Sequence, residues 1–283
     1  MDHIGEFFPD SPIWFRWLGR LAAPLFFYAL AVGFQHTRNR KKYLLRLYLA
    51  NVGMVFFNQI MCMLQRKLDY VAYQPKNHNI FTTLFCAGVL ICIWENRKEK
   101  KKFFTYIGIY IFWQAMVMGL AILAEAFDYV WRGNALLQTV LRTNYIFPLL
   151  GGIWDAEGGV FFIVLGIWLY CAVENKWKLA LRYILFCGAY MFMCQGDILY
   201  RIMSRFSFWG YHKLADVIYF GSSFVGIPLG TSDLSLLTEF YQWMMIGALP
   251  IMLSCNGKRG KSLKWLFYAA YPLQFLVLYG ISY

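Results

Sequence analysis

The residues best suited to acid–base chemistry lie near the start of the chain. Asp2 and His3 are adjacent, and Arg20 stands at the beginning of a long apolar run. A neutral imidazole can take a proton from an amine or a hydroxyl while that group attacks an acyl carbonyl. We therefore take Asp2 and His3 as candidate catalytic residues, with His3 as the general base. The alternative is that His3 is a polar residue without a chemical role.

The partner of Asp2 is open at this stage. Neighbouring residues of an α-helix point about 100° apart, so Asp2 does not readily orient His3 if both are helical. The other arrangement pairs Asp2 with Arg20. A charge inside an apolar span is costly unless it is paired or faces water, so Arg20 indicates a functional site. We expect it to bind a thioester oxygen or a carboxylate; the alternative is an arginine that extends to the lipid headgroups.

Two basic turns have the composition of a site for the phosphates of an acyl-CoA. Arg38 and Arg40 lie in the first turn, and Lys258 and Arg259 in the last. Glycines flank Lys258 and Arg259, and they allow the backbone to approach an anion closely. The alternative for each basic residue is a topology signal that contacts lipid headgroups.

Asn79 and Thr82 begin another apolar run, and the sequence suggests two roles for them. Asn79 is expected to cap the helix by accepting a bond from a free backbone N–H group. The alternative is that both side chains line a substrate path. The four histidines are far apart and have no partner at ligand spacing, so no metal site is predicted. Phosphate-loop, dinucleotide and serine-hydrolase motifs do not occur in the sequence.

The elements that must position these residues are apolar helices. Apolar residues make up 60% of the 283 positions and charged residues 15%, against averages of about half and about a quarter in soluble proteins. The apolar residues form long runs that charged clusters interrupt. The sequence therefore predicts an all-α, polytopic integral membrane protein with one domain over residues 1–283. The net charge of +12 comes mostly from turns between runs, which argues against nucleic-acid binding. Seven cysteines without a CxxC pair are expected to be reduced and structural.

A spanning helix needs about 20 mostly apolar residues. About eight spans are predicted, at 13–36, 43–65, 79–95, 103–125, 157–174, 179–196, 235–253 and 263–282. Strongly basic turns follow the first, third, fifth and seventh spans, so these turns are expected in the cytoplasm and His3 on the outer side. The outer segments 126–156 and 197–234 are predicted to hold interfacial helices or re-entrant segments.

Several motifs occur in an order that resembles the TraX family. Near the start these are Asp2-His3-Ile4-Gly5, Gly19-Arg20-x-Ala22-x-Pro24 and Gly33-Phe34-x-His36-Thr37; further along they are Asn79-Ile80-Phe81-Thr82-Thr83-Leu84 and Asn256-Gly257-Lys258-Arg259-Gly260. Residues 125–240 contain no motif that we could assign to the family. The family tends to place a histidine after Tyr-Pro-x, where this chain has Gln274. If that histidine takes part in the chemistry, the activity of this chain is altered.

The resemblance implies both a fold and an activity. The founding member of the family is linked to N-terminal acetylation of a conjugative pilin, and the family is grouped with the multi-span acyltransferases of family 3. It therefore implies a multi-pass acyltransferase of the bacterial plasma membrane, with one further helix before the Asp-His pair. The donor substrate would be acetyl-CoA or another acyl-CoA, and the acceptor an outer-face peptide N-terminus or surface glycan. The alternative is a non-enzymatic membrane assembly or transport factor.

The predicted donor site and the predicted base lie on opposite sides of the membrane. A bilayer core is about 30 Å thick, so the acyl group would need a path between helices. Lipid cannot solvate a thioester or a charge, so protein must line that path. We expect Arg20, Asn79 and Thr82 at its outer end, and membrane lipids around the helices.

Overall fold

The computed structural model describes residues 2–8, 10–67, 79–130, 143–154, 156–195, 205, 211–228, 234–255 and 264–281. Across these ranges the chain forms twelve α-helices and one 3₁₀ segment, and no strand occurs among them. The all-helical fold predicted from the sequence is confirmed.

The helices are numbered here in chain order. They are α1 (Asp2–Phe7), α2 (Trp14–Gly19), α3 (Ala22–His36), α4 (Arg40–Lys67), α5 (Ile80–Glu95), α6 (Lys100–Val130), α7 (Thr143–Leu149), α8 (Gly159–Tyr170), α9 (Lys176–Gln195), α10 (Tyr211–Val225), the 3₁₀ segment (Tyr241–Gly247), α11 (Ala248–Ser254) and α12 (Lys264–Ile281).

Among the described residues, four stretches are long and apolar enough to cross a membrane: Trp14–His36, Arg40–Met61, Lys100–Ala124 and Lys176–Gln195. They coincide with four of the predicted spans. Three more predicted spans coincide with the shorter apolar helices Ile80–Glu95, Gly159–Tyr170 and Trp265–Ile281. The chain is therefore a helical membrane protein, and the count of about eight spans stays a prediction.

The predicted span at 235–253 is wrong as a single helix. The structure has turns at its start, then the 3₁₀ segment, and only then the seven-residue α11. Pro250 favours the break, because it has no N–H group to donate to the carbonyl of Ile246 and is best accommodated in the first turn of an α-helix. The helix that begins at Ala248 has Pro250 in its first turn, where the missing N–H group costs least.

The chain divides into two compact units. One contains residues 1–35 and 168–283, and the other contains residues 36–167. His3 and Arg20 belong to the first unit, and Arg38, Arg40, Asn79 and Thr82 belong to the second. The single membrane domain expected from the sequence stays a prediction.

The turn between α5 and α6 offers a test of the predicted topology. Glu99 is exposed in this turn and precedes the basic start of α6, so it is expected on the cytoplasmic side. In a chain whose native cysteines are replaced, we expect Glu99→Cys to react with an impermeant maleimide only after the cells are permeabilised. Asp10→Cys, also at an exposed turn position, should react in intact cells. Labelling of position 99 in intact cells would contradict the topology.

Candidate active site

His3 lies on a short helix whose ring side chains pack against α12. Tyr271, Phe275 and Tyr279 are spaced by four residues and form one aromatic stripe along α12. The His3 ring centroid lies 4.4 Å from that of Phe275 and 6.3 Å from that of Tyr271. The Phe7 ring, one helical turn further, lies 4.9 Å from the Tyr279 ring. The imidazole is half-buried, so it is held in place without being sealed off.

The sequence had suggested that Arg20 lies inside a helix. In the structure it lies in the turn between α2 and α3. Pro24 accounts for the turn, because it cannot donate to the Arg20 carbonyl. The guanidinium carbon lies 5.1 Å from the ring centroid of Tyr241. An aromatic face attracts a cation by about 0.5–2 kcal/mol. Arg20 is thus a half-buried cation beside the ring of Tyr241, in the same unit as His3.

The partner of Asp2 stays a prediction. Its backbone begins α1, but its side chain lies outside the described residues. Neither the orientation of His3 by Asp2 nor the pairing of Asp2 with Arg20 is therefore tested.

The second unit contains a buried polar network centred on Asn51 of α4. Asn79 Nδ2 donates to the backbone oxygen and to Oδ1 of Asn51, at 3.2 and 2.8 Å. Thr82 Oγ1 donates to the same Oδ1 atom at 2.7 Å, and Asn51 Nδ2 donates to the Pro148 carbonyl at 2.6 Å. Asn51 and Thr82 are completely buried, and Asn79 is 5% exposed. The structure therefore brings the two predicted path residues together through an asparagine that the sequence analysis did not select.

The capping role predicted for Asn79 is wrong. Asn79 occupies the N-cap position of α5, but its side chain makes no capping hydrogen bond. The side-chain amide instead donates to the buried acceptors of Asn51, which would cost free energy if they were left unsatisfied. The Thr82 N–H group bonds to the Asn79 backbone oxygen at 3.2 Å.

Side chains from α4, α5 and α6 also hold the non-helical segment between α7 and α8. We call residues 150–158 the glycine-rich segment. Four consecutive carbonyls at the end of α7 accept side-chain bonds: Pro148 from Asn51, Leu149 from Tyr48 at 2.8 Å, Leu150 from Trp113 at 2.9 Å and Gly151 from Gln114 at 3.1 Å. Thr83 donates to the Glu157 carbonyl at 3.0 Å. Non-helical backbone is tolerated within a membrane protein only when protein groups satisfy it in this way.

Gln114 makes three hydrogen bonds with the glycine-rich segment. Besides donating to Gly151, its Oε1 atom accepts from the Ile153 N–H group at 3.0 Å. Its backbone oxygen accepts from Trp154 Nε1 at 3.1 Å. Gly151 has a φ of 65°, and a Cβ atom there would lie 2.7 Å from the Phe85 ring, so no other residue fits.

The family model described as TraX protein matches residues 1–192 of this chain. The chain belongs to the TraX family. No curated protein and no solved structure matches it.

The TraX match and the motifs do not cover the same parts of the chain. It continues through residues 125–192, where the sequence analysis found no family motif, and so includes Gln114 and the whole glycine-rich segment. It ends before Lys258 and Arg259, which also lie outside the described residues. The donor role of these two residues, and a path leading from them, therefore stay predictions.

Arg40 of this TraX-family chain is bonded within its own unit. Its Nη2 and Nε atoms donate to the two carboxylate oxygens of Glu95, at 2.9 and 3.4 Å, and its Nη1 atom donates to the Thr37 carbonyl. The ion pair joins the start of α4 to the end of α5. Arg38, two residues earlier, is exposed. The guanidinium of Arg38 is thus more accessible to a phosphate than that of Arg40.

Asn51 and Gln114 were visible in the sequence of this TraX-family chain as uncharged amides inside apolar spans. Burying such a group without a hydrogen bond costs about 1–3 kcal/mol, so each required a partner. The partners are backbone groups far along the chain, at Pro148, Gly151 and Ile153. The two amides within apolar spans could indicate that a buried polar network exists. They could not indicate which segment of the chain the network holds.

Proposed function

We propose that this protein is a multi-pass acetyltransferase of the bacterial plasma membrane. It moves an acetyl group from cytoplasmic acetyl-CoA to an outer-face acceptor, either a peptide N-terminus or a surface glycan. The observation that carries the proposal is the half-buried His3 imidazole, held on the aromatic stripe of α12 in a chain of the TraX family. That family is linked to N-terminal acetylation of a pilin.

The chemical step requires one base and one site for negative charge. The acceptor nitrogen or oxygen attacks the thioester carbonyl while the His3 imidazole takes the proton that the acceptor loses. The tetrahedral intermediate then collapses, the carbon–sulfur bond breaks, and CoA leaves as a thiol with the proton returned by the imidazolium. An amide or ester bond to the acceptor replaces the thioester, so no other reactant is consumed.

Arg20 is the group we assign to the developing negative charge. A fixed cation in a site of low dielectric stabilises an oxyanion more strongly than water does, because it needs no reorganisation during the reaction. The half-buried guanidinium of Arg20, which lies over the ring of Tyr241, supports this assignment. A carboxylate on the acceptor is the other group that Arg20 would bind.

The donor is assigned to the basic turns and to a path between helices. In the first basic turn Arg38 would bind a CoA phosphate, and Arg40 would do so if it exchanges Glu95 for the phosphate. In the last basic turn the residues assigned to the phosphates are Lys258 and Arg259. Asn79 Oδ1 is buried and accepts no hydrogen bond from the residues that the structure describes. It is therefore suited to accept a bond from an amide N–H of the pantetheine arm, beside Thr82.

The proposal predicts an acetylated product at the cell surface. Surface peptides and glycans from cells with and without this protein are compared by mass, after growth with isotopically labelled acetate. We expect one or more molecules to gain a labelled acetyl group only when the protein is present. Identical surface molecules in the two strains, together with no binding of acetyl-CoA by the purified protein, would contradict an acetyltransferase and favour an assembly or transport factor.

A further inference from the structure

A hydrogen bond from Arg16 joins α1 to α2. Arg16 Nη2 donates to the Gly5 carbonyl at 2.6 Å, and the bond is partly buried. Gly5 is among the last residues of α1, where helix carbonyls have no intrahelical partner. A guanidinium at such a carbonyl makes a charge-assisted bond and also complements the negative end of the helix dipole. The contact therefore satisfies a carbonyl at the end of α1 and also fixes the position of this helix.

Gly5 permits this approach because it has no side chain. A Cβ atom on Gly5 would lie 2.7 Å from Arg16 Cγ and 2.8 Å from Arg16 Nε. These are atoms of the middle of the side chain, so they cannot simply swing away. Gly5 is not among the glycines with positive φ, so its backbone conformation does not require glycine. Glycine within a helix lowers stability by about 0.5–1 kcal/mol relative to alanine, and here the close approach of Arg16 accounts for it.

The position of α1 depends on such contacts. The helix has six residues, far fewer than the roughly 12–15 that an isolated helix needs to be even marginally stable. His3 and Gly5 are two positions apart, so their side-chain directions differ by about 200°. The His3 and Phe7 rings hold one side of α1 on the aromatic stripe, and Arg16 holds the opposite side.

We propose that Arg16 is a positioning residue that keeps the His3 imidazole on the aromatic stripe. The inference rests on the proposed catalytic role of His3, but the placement of His3 can be measured without any activity. Without the guanidinium, α1 loses the contact on one side, and the imidazole becomes more exposed and less well aligned with the acceptor.

The test measures both placement and activity. The purified protein is treated with diethyl pyrocarbonate, and modification of His3 is followed by peptide mass spectrometry, with the exposed His36 as an internal reference. We expect Arg16→Met to raise the rate at His3 severalfold relative to His36. We also expect the kcat for acetyl transfer to fall about tenfold, because misplacement of a catalytic group costs orientation, with the KM for acetyl-CoA unchanged.

Three further variants separate positioning from general damage. Arg16→Lys keeps a cation that can donate to the Gly5 carbonyl, so it should restore part of the activity. Gly5→Ala should have the same effects as Arg16→Met, and the two combined should not be additive, because both remove one contact. Arg97→Met removes an exposed arginine that donates to the Trp94 carbonyl at 3.3 Å, and it should leave both measurements unchanged.

The outcomes distinguish this proposal from the proposed function. An unchanged modification rate at His3 in both Arg16→Met and Gly5→Ala overturns the positioning role, whatever the activity of the wild-type protein. Faster modification of His3 in a protein that transfers no acetyl group supports the positioning role and contradicts the acetyltransferase. If Arg16→Met does not fold, Gly5→Ala provides the same comparison.

Discussion

Replacing His3 with alanine is expected to lower acetyl transfer by about 10²–10⁴-fold, the usual contribution of a positioned general base. The acceptor would then have to lose its proton to water while it attacks the thioester. Binding of acetyl-CoA should be retained, because the residues assigned to the phosphates do not include His3. The measurement is transfer of labelled acetyl to the acceptor, together with acetyl-CoA binding by the same purified variant.

Two variants of α1 control for loss of packing. His3→Phe keeps an aromatic ring against Phe275 but cannot accept a proton, so it should be as inactive as His3→Ala. Phe7→Leu weakens the contact with Tyr279 but keeps the imidazole, so most of the activity should remain. Full activity in His3→Ala would remove His3 from the mechanism. Loss of activity in Phe7→Leu but not in His3→Phe would show that packing, and not proton transfer, matters at this end of the chain.

The helices of the chain could be predicted from the sequence because their signal is local. The spans near 13–36, 43–65, 103–125 and 179–196 each appear within a few residues of their predicted ends. In a membrane protein the length of an apolar run determines whether a helix can cross, and that length is read directly from the sequence. Pro250 was also a local signal, but the predicted span at 235–253 did not take it into account.

The glycine-rich segment shows what a local signal cannot provide. The sequence predicted an interfacial helix or a re-entrant segment within 126–156, but nothing near Gly151 and Gly152 identifies the side chains that satisfy the backbone there. Those side chains lie on α4, α5 and α6. The separation along the chain ranges from 37 positions for Trp113 and Leu150 to 101 positions for Tyr48 and Leu149. Such pairs depend on how the helices pack against each other. Neither hydrophobic periodicity nor amino-acid composition determines that packing.

The candidate site divides in the same way. His3 and Arg20 were found by residue type and motif, because an acid–base group and a cation beside apolar residues are unusual in themselves. The Arg16–Gly5 contact was not predicted, because the sequence does not show which carbonyl the Arg16 guanidinium reaches. Its meaning depends on a distance of 2.6 Å between two helices, and only a structure provides that distance.

Gln114→Leu is expected to destabilise the second unit by about 2–4 kcal/mol. It would leave the Ile153 N–H group without a partner and the Gly151 carbonyl with only a weak contact to Cys86 Sγ at 3.6 Å, and each unsatisfied buried group costs about 1–3 kcal/mol. Polar bonds between membrane helices often contribute only about 0.6 kcal/mol, because the unfolded helices find other partners. Here the bonded groups are backbone atoms of a non-helical segment, which have no helical partner to return to, so the larger value applies.

Gln59→Leu provides the matched control for this prediction. It makes the same substitution in an apolar helix, but Gln59 Oε1 is buried and accepts no hydrogen bond within the described part of the chain. Replacing it removes an unsatisfied acceptor, so stability should be unchanged or slightly higher. The measurement is the midpoint of thermal unfolding of each detergent-solubilised variant. It is obtained from the fraction of protein that still elutes as a single species after heating. Equal midpoints for the two variants would mean that the glycine-rich segment does not depend on Gln114, and that the bonds from Asn51, Tyr48 and Trp113 are sufficient to hold it.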